Sequence, residues 1–281
     1  MQETYKKSGY LTGDLKIFYL KENTQATFDF HYHDFHKLLI FLGGSISYAV
    51  EGREYDLCPG DIVLIRAGEI HRPVIRDTLS YRRMIIYVSD NFFHDMEREH
   101  CDLFHCYRES QKLSSNVIRF SASMQNRLQT IVSDVALSFK KSSPSTPLYQ
   151  KIKFIEFLIM INEMITREPS AFVTAGSVHP VILDILNYIN EHVTDDLSID
   201  TISNHVFLNR SYVMHLFKEE TGCTIGKYIT DKRLFLANRL ISQGCSATTA
   251  CFQSGFKNYT TFYQAYKAKY AHSPKEMFQN L

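Results

Sequence analysis

The period of the hydrophobic pattern changes near residue 90, and one fold class cannot accommodate both halves. Up to that point short apolar runs alternate with Gly, Asp and Pro: "KLLIFL", "GG", "SISYAV", "EGREYDL", "CPGD", "IVLI", "RAGEIHRP", "YRRMIIYV". Short strands with turn signals this frequent imply a sandwich or barrel. Pro59-Gly60-Asp61 and Glu51-Gly52 are turn chemistry, since Pro fixes φ and Gly admits positive φ. Residues 1–90 therefore read as β.

From about residue 91 the spacing becomes helical. "SMQNRLQTIVSDVALSFK" sets Met124, Leu128, Ile131, Val135 and Phe139 at steps of three and four, one face of a helix. "SSPSTP" interrupts the chain, and "LYQKIKFIEFLIMINEMITRE" follows as a long apolar helix. Residues 168–177, "EPSAFVTAGS", have the Pro, Gly and small polar residues of a linker. Residues 178–281 read as helical throughout, opening on Pro180 in a first turn. The fold class is α+β and multidomain, and 281 residues suffice for two domains of ordinary size.

Several classes are disfavoured by what the chain lacks. The first twenty residues have no apolar core of signal-peptide length. The longest unbroken apolar run in the long helix is Phe157–Ile161, far short of the roughly 20 residues of a membrane span. A soluble, cytoplasmic protein is expected. The six cysteines show no C-x-x-C spacing, so reduced, mostly buried thiols are expected. The net charge of +1 names no partner.

An internal repeat is more informative. "NRSYVMHLFK" from Asn209 and "NYTTFYQAYK" from Asn258 match at an offset of 49. Each opens with an Asn suited to cap a helix and closes on aromatic-Lys. Projected at 100° per residue, Val213 and Phe217 define the inner face of the first and Phe262 and Tyr266 that of the second. Ser211, Met214, His215 and Lys218 lie outside on the first; Thr260, Tyr263, Gln264 and Lys267 stand at the same positions on the second. Each is preceded by a short helix holding a small residue, Ser203 or Cys251, which permits the close crossing of a helix-turn-helix. From Leu197 onward there are ten basic and five acidic residues, a local excess suited to phosphate. A helical bundle whose polar faces meet only water is the alternative.

These segments resemble the AraC/XylS family of bacterial transcription regulators over about residues 180–278. "LSIDTISNHVFLNRSYVMHLFKEETG" is similar to its first helix-turn-helix. "YITDKRLFLANRLI" is similar to its connecting helix, and "GFKNYTTFYQAYKAKYAHSP" to its signature. The departures are Ser203 for the usual Ala, Cys251 at the equivalent place, Tyr263-Gln264 where a small residue and Arg are common, and Ala271 for Gly. The resemblance implies two recognition helices in successive major-groove segments of double-stranded DNA. Ser211, Met214, His215, Thr260, Tyr263 and Gln264 would meet bases; Lys218, Lys257 and Lys267 would meet phosphates. It also implies a homodimer seamed by at least one of the helices in 91–167, with RNA polymerase open as a further partner.

In the β region, His31-Tyr32-His33 followed by the run ending at His71 resembles the cupin barrel. Cupin enzymes hold a metal on three His and a Glu, but here Lys37 stands at the Glu position. A lysine there opposes a cation, so no metal, cofactor or catalytic residue is assigned. His31, His33, Lys37 and His71 are instead expected to anchor a small-molecule effector, with Arg66 and Arg72 flanking and an anionic or hydroxylated ligand favoured. Two alternatives stay open: a cupin-type metalloenzyme fused to a helical module, and a regulator whose barrel serves only assembly.

Overall fold

The computed structural model describes residues 11, 13–22, 28–76, 80–98, 100–138 and 143–279. It divides into two compact units. The first runs to residue 177, and the second holds 178–281 with residues 29–31.

The first unit opens with β1 (Leu15–Glu22), β2 (His36–Gly43), β3 (Ile46–Val50), β4 (Arg53–Asp56), β5 (Ile62–Ile65), β6 (His71–Ile75) and β7 (Tyr81–Val88). Helices α1 (Asp90–Arg98) and α2 (His105–Lys112) follow, then the two-residue strand β8 (Val117–Ile118), α3 (Ala122–Ser138) and α4 (Thr146–Arg167). One sheet has the order β1-β7-β2-β5-β8, and a second carries β6-β3-β4 as neighbours. The named pairings are antiparallel.

Both faces of the first sheet are buried. Leu38, Ile40, Ile62, Leu64, Met84 and Ile86 pack with the helices. Leu39, Phe41, Val63, Ile65, Ile85 and Tyr87 pack inward with Tyr48, Val50 and Tyr55 of the second sheet. This is why β2 and β5 read as unbroken apolar runs instead of alternating ones. The turn before β5 is fixed by buried Asp61, which accepts from the Cys58 amide at 2.8 Å. Arg119 donates to the same carboxylate at 2.9 and 2.7 Å.

The helical stretch expected after residue 91 thus contains β8, which pairs with β5. Residues 168–177 are bonded to this strand: Val173 N donates to Val117 O at 2.8 Å, and Arg119 N to Ala171 O at 2.8 Å. On α3, Leu128, Ile131 and Val135 are buried and Met124 partly so; Phe139 lies outside the described residues. On α4, Phe154, Phe157, Leu158 and Ile161 face the core. Leu148, Ile152 and Ile159 are exposed, an apolar row turned away from that core, while half-buried Ile155 between them packs against the core's edge.

The second unit comprises α5 (Pro180–Glu191), α6 (Ile199–His205), α7 (Arg210–Thr221), α8 (Ile225–Ser242), α9 (Ala247–Gln253), α10 (Tyr259–Tyr270) and α11 (Pro274–Gln279). Its helices begin on side-chain caps. Ser198 and Thr201 form a reciprocal capping box on α6, Asn209 accepts from Tyr212 N, and Asn258 accepts from Thr260 N and Thr261 N. Each such cap is worth about 1 kcal/mol. The connecting helix α8 supplies Leu234, Ala237 and Ile241 to a core shared with Ala250, Cys251, Phe256, Phe262 and Tyr266.

Candidate functional site

The pairs α6–α7 and α9–α10 present the two repeated segments. Val213, Leu216 and Phe217 are buried on α7, and Phe262, Tyr266 and Tyr270 on α10. Ser211, Met214, His215 and Lys218 are exposed, as are Thr260, Gln264 and Lys267; Tyr263 is half-buried. The Tyr263 ring stands 6.4 Å from that of Tyr259, which steadies it at the edge of the face. Ser203 and Cys251, the small residues of α6 and α9, are buried at the crossings, where a larger side chain would force the helices apart.

The turns differ by one residue. Ile202-Ser203 matches Ala250-Cys251 at an offset of 48, whereas Asn209 matches Asn258 at 49. The positive-φ residue closing the first helix is Phe207 in one turn and Gly255 in the other. Each turn repeats the same bonds: Leu208 N to Ser203 O at 3.1 Å, and Phe256 N to Cys251 O at 3.2 Å. The extra residue in the second turn therefore falls between Gly255 and the cap Asn258.

Two expected DNA-contacting side chains already have acidic neighbours. Lys257 Nζ pairs with Asp196 at 2.5 Å, and His215 Nδ1 lies 3.6 Å from Glu219. Both pairs are exposed, so neither is worth much in water. A phosphate would compete directly with Asp196 for Lys257.

The barrel interior gathers a second set. Lys37 and Tyr87 are directly paired across β2 and β7, and the Tyr87 side chain packs inward. Lys37 is 2% exposed. Its Nζ donates to Tyr48 Oη at 2.9 Å and lies 3.3 Å from His71 Nε2. His71 Nδ1 faces the Glu69 carbonyl at 2.9 Å. A carbonyl only accepts, so Nδ1 carries the hydrogen and Nε2 offers a lone pair to the amine. The His33 ring lies 5.2 Å from that of His71. Burial, with the Arg83 guanidinium adding to it, lowers the Lys37 amine from 10.5 to about 7.

Three expected anchors, His33, Lys37 and His71, are thus brought together in the first unit. His31 belongs to the segment that groups with the second unit. Arg66 is engaged by Glu69 at 2.7 Å, and Arg72 is half-buried on β6. His36 points the other way. Its Nε2 meets Asp90 at 2.7 Å and its Nδ1 accepts from Ala67 N at 3.2 Å, against Phe93 and Phe104. One step along the strand reverses the face, which keeps His36 out of the interior.

The sequence reading missed Tyr48 and Arg83. Arg83 is 2% exposed, and its Nη2 donates to Glu22 at 3.0 Å. Its guanidinium stacks 3.9 Å from the Tyr81 ring centroid. The signal was present in "YRRMIIYV": with Tyr81, Ile85 and Tyr87 inward, the second Arg must be inward too.

The family descriptions that match follow the same division. An AraC-like ligand binding domain matches residues 17–138, and a helix-turn-helix domain matches residues 202–280. The HTH-type transcriptional activator RhaS of Escherichia fergusonii is 22% identical over 261 residues, covering 91% of this chain and 89% of that protein. RhaS of Escherichia coli O6:H1 is 23% identical over 256 residues with the same coverage. Among solved structures, ToxT from Vibrio cholerae is 15% identical over 96% of this chain and 99% of that one, with a TM-score of 0.37. Among the described residues no helix is long and apolar enough to cross a membrane. With both domains matched in chain order and full-length regulators aligned, the chain belongs to the AraC family of transcription regulators, with an N-terminal ligand-binding domain and a C-terminal helix-turn-helix DNA-binding domain.

Proposed function

We propose that this regulator reads a specific double-stranded DNA sequence with α7 and α10, under control of a small molecule held in the barrel. One observation carries the reading: two capped helices display polar faces at matching positions, each opposite a buried aromatic. Ser211, Met214 and His215 read bases from the first, and Thr260, Tyr263 and Gln264 from the second. Gln pairs with adenine, Thr meets a thymine methyl and His donates to guanine. Lys218, Lys257 and Lys267 hold phosphates and set the register.

The chain acts in the cytoplasm as a homodimer through the exposed α4 residues Leu148, Ile152 and Ile159, because symmetric dimers suit paired half-sites. His33, Lys37 and His71 anchor the effector. Its binding shifts transcription only if it prefers one arrangement of the regulator over another. RNA polymerase is the further partner through which bound regulator changes transcription.

The test is duplex selection from a random pool, followed by affinity measurement with His215→Ala and Gln264→Ala. Each change is expected to relax preference at one base step and to weaken binding roughly 5- to 100-fold. Unchanged affinity and unchanged base preference in both variants would rule out these reading faces.

A further inference from the structure

The barrel interior holds more positive charge than it neutralises. Lys37, Leu39 and Phe41 on β2 stand opposite Tyr87, Ile85 and Arg83 on β7, so Lys37 and Arg83 line one inner face. About 13 Å of strand separates their Cα positions, and the Arg83 guanidinium is near enough to act electrostatically on the Lys37 amine. Arg83 has Glu22 as its ion-pair partner, and its buried Nη1 has no hydrogen-bond partner among the described residues. Lys37 has no ion-pair partner among them: its neighbours are the Tyr48 hydroxyl, the His71 ring nitrogen and the Tyr48 ring face. An ammonium has three N–H donors, and two are used.

Two cations against one carboxylate leave a net charge of one. A buried, uncompensated charge is among the costliest arrangements in a protein, and a site built this way favours whatever supplies the missing anion. Its surroundings are aromatic and aliphatic, with Tyr81, Tyr87, Leu39 and Ile85 buried on the same face.

We propose that the effector is a small organic monocarboxylate whose carboxylate takes the unused donors of Lys37 and Arg83 and whose body lies against the aromatic inner wall. The inference rests on the effector reading above and narrows it to a chemical class. A single carboxylate cancels the excess charge, whereas a phosphate monoester dianion reverses it. Burial has brought the free amine down to about 7, so the empty site is charged below that pH, and above it a bound carboxylate holds a proton on Lys37 that the empty site gives up.

The test uses the full chain at pH 6.5 and fixed ionic strength in chloride. Acetate and benzoate are the probes, with acetamide, benzamide and phenyl phosphate as comparisons, read by calorimetry and thermal shift. An acid is expected to bind at least tenfold more tightly than its amide and than phenyl phosphate. Lys37→Met is expected to abolish that preference, and Lys37→Gln serves as a second variant should the first fail to fold. Arg83→Lys, which keeps the charge that pairs with Glu22 but loses the free Nη1, is expected to weaken binding about tenfold. Amides that bind as well as the acids, with Lys37→Met unaffected, would overturn the carboxylate while leaving effector control intact. Preference for phenyl phosphate would overturn it in favour of a phosphate ester. If neither acids nor amides bind, the inference falls. Effector control is then decided separately, by whether neutral metabolites change the duplex footprint.

Discussion

Gly255 lies against Thr194 with no room for a side chain. A Cβ there would sit 2.8 Å from Thr194 Cα and 2.8 Å from the Val193 carbonyl oxygen, at a φ of +89°. Arg233 holds that same loop, its Nε donating to Val193 O at 2.8 Å and its Nη2 to Asp195 O at 2.7 Å, and the same Nε would lie 3.0 Å from the added Cβ. The loop after α5, the connecting helix and the second turn therefore meet at one point. Gly255→Ala adds both a backbone clash and an unfavourable φ, and is expected to cost about 2–4 kcal/mol. Urea unfolding measures it; a loss under 1 kcal/mol would mean the turn is not wedged as described.

Two other positive-φ positions carry side chains that glycine would spare. Ala271 ends α10 at φ +61° and Phe207 ends α6 at φ +55°. Phe207 is also 93% exposed, so its ring contributes little packing to lose. Ala271→Gly and Phe207→Gly are each expected to stabilise the chain by about 0.5–1 kcal/mol. A destabilised Phe207→Gly would reveal a packing role for the ring, and a midpoint shift in thermal unfolding decides the sign.

Much of this was legible because turn residues and periodicity act locally. Pro59-Gly60-Asp61, the Asn209 and Asn258 caps and the inward rows of α7 and α10 need no tertiary knowledge. The remainder depended on pairing. The strand β8 is two residues long, too short for any periodic signal, and only its partner β5 defines it. Residues 168–177 have linker composition, yet their backbone groups bond to that strand and the loop beside it. Arg83 was hidden for a different reason. Beside Arg82, which is exposed, it looks like half of a solvated pair, although alternation with Tyr81, Ile85 and Tyr87 already marks it as inward, as the register against Phe41 shows.

Lys257 and Asp196 offer a test of the phosphate assignment that does not touch the fold. Their exposed ion pair must open for Lys257 to reach DNA. Asp196→Asn is expected to tighten duplex binding a few-fold at low salt. Lys257→Ala is expected to weaken binding evenly across sequences and to reduce the slope of log affinity against log salt by about 1. A slope unchanged in Lys257→Ala would remove this lysine from the interface.

Gln264 occupies the place where the family commonly has Arg. A bidentate Gln favours adenine and a bidentate Arg favours guanine, each by about 1–3 kcal/mol. Gln264→Arg is therefore expected to switch preference at one base pair from A to G and to raise overall affinity through its added charge. Parallel selections with the two proteins read the switch. The same consensus from both would place Gln264 off the base edges.

Lys37 makes stability depend on pH in a direction opposite to that of most buried acids. The unfolded chain keeps this amine protonated up to its ordinary value of 10.5, the folded chain only to about 7. Between those limits unfolding takes up a proton, so native stability rises with pH. Below pH 7 both states are charged, and the burial penalty is constant and fully present. The groups facing the amine are the Tyr48 hydroxyl, the neutral His71 ring and the Arg83 guanidinium, with the His33 and Tyr87 rings tilted beside them. None of these supplies a carboxylate to reverse the sign. Lys37→Met removes the penalty but strands the Tyr48 and His71 partners, so its net gain is expected to be on the order of 2 kcal/mol at pH 6.5. Wild-type stability recovers by about 1.4 kcal/mol per pH unit above 7, so that gain should vanish near about pH 8.5 and become a loss by pH 9.5. Denaturation midpoints of the two proteins at pH 6.5, 8 and 9.5 make the comparison, and parallel curves would mean that Lys37 titrates normally.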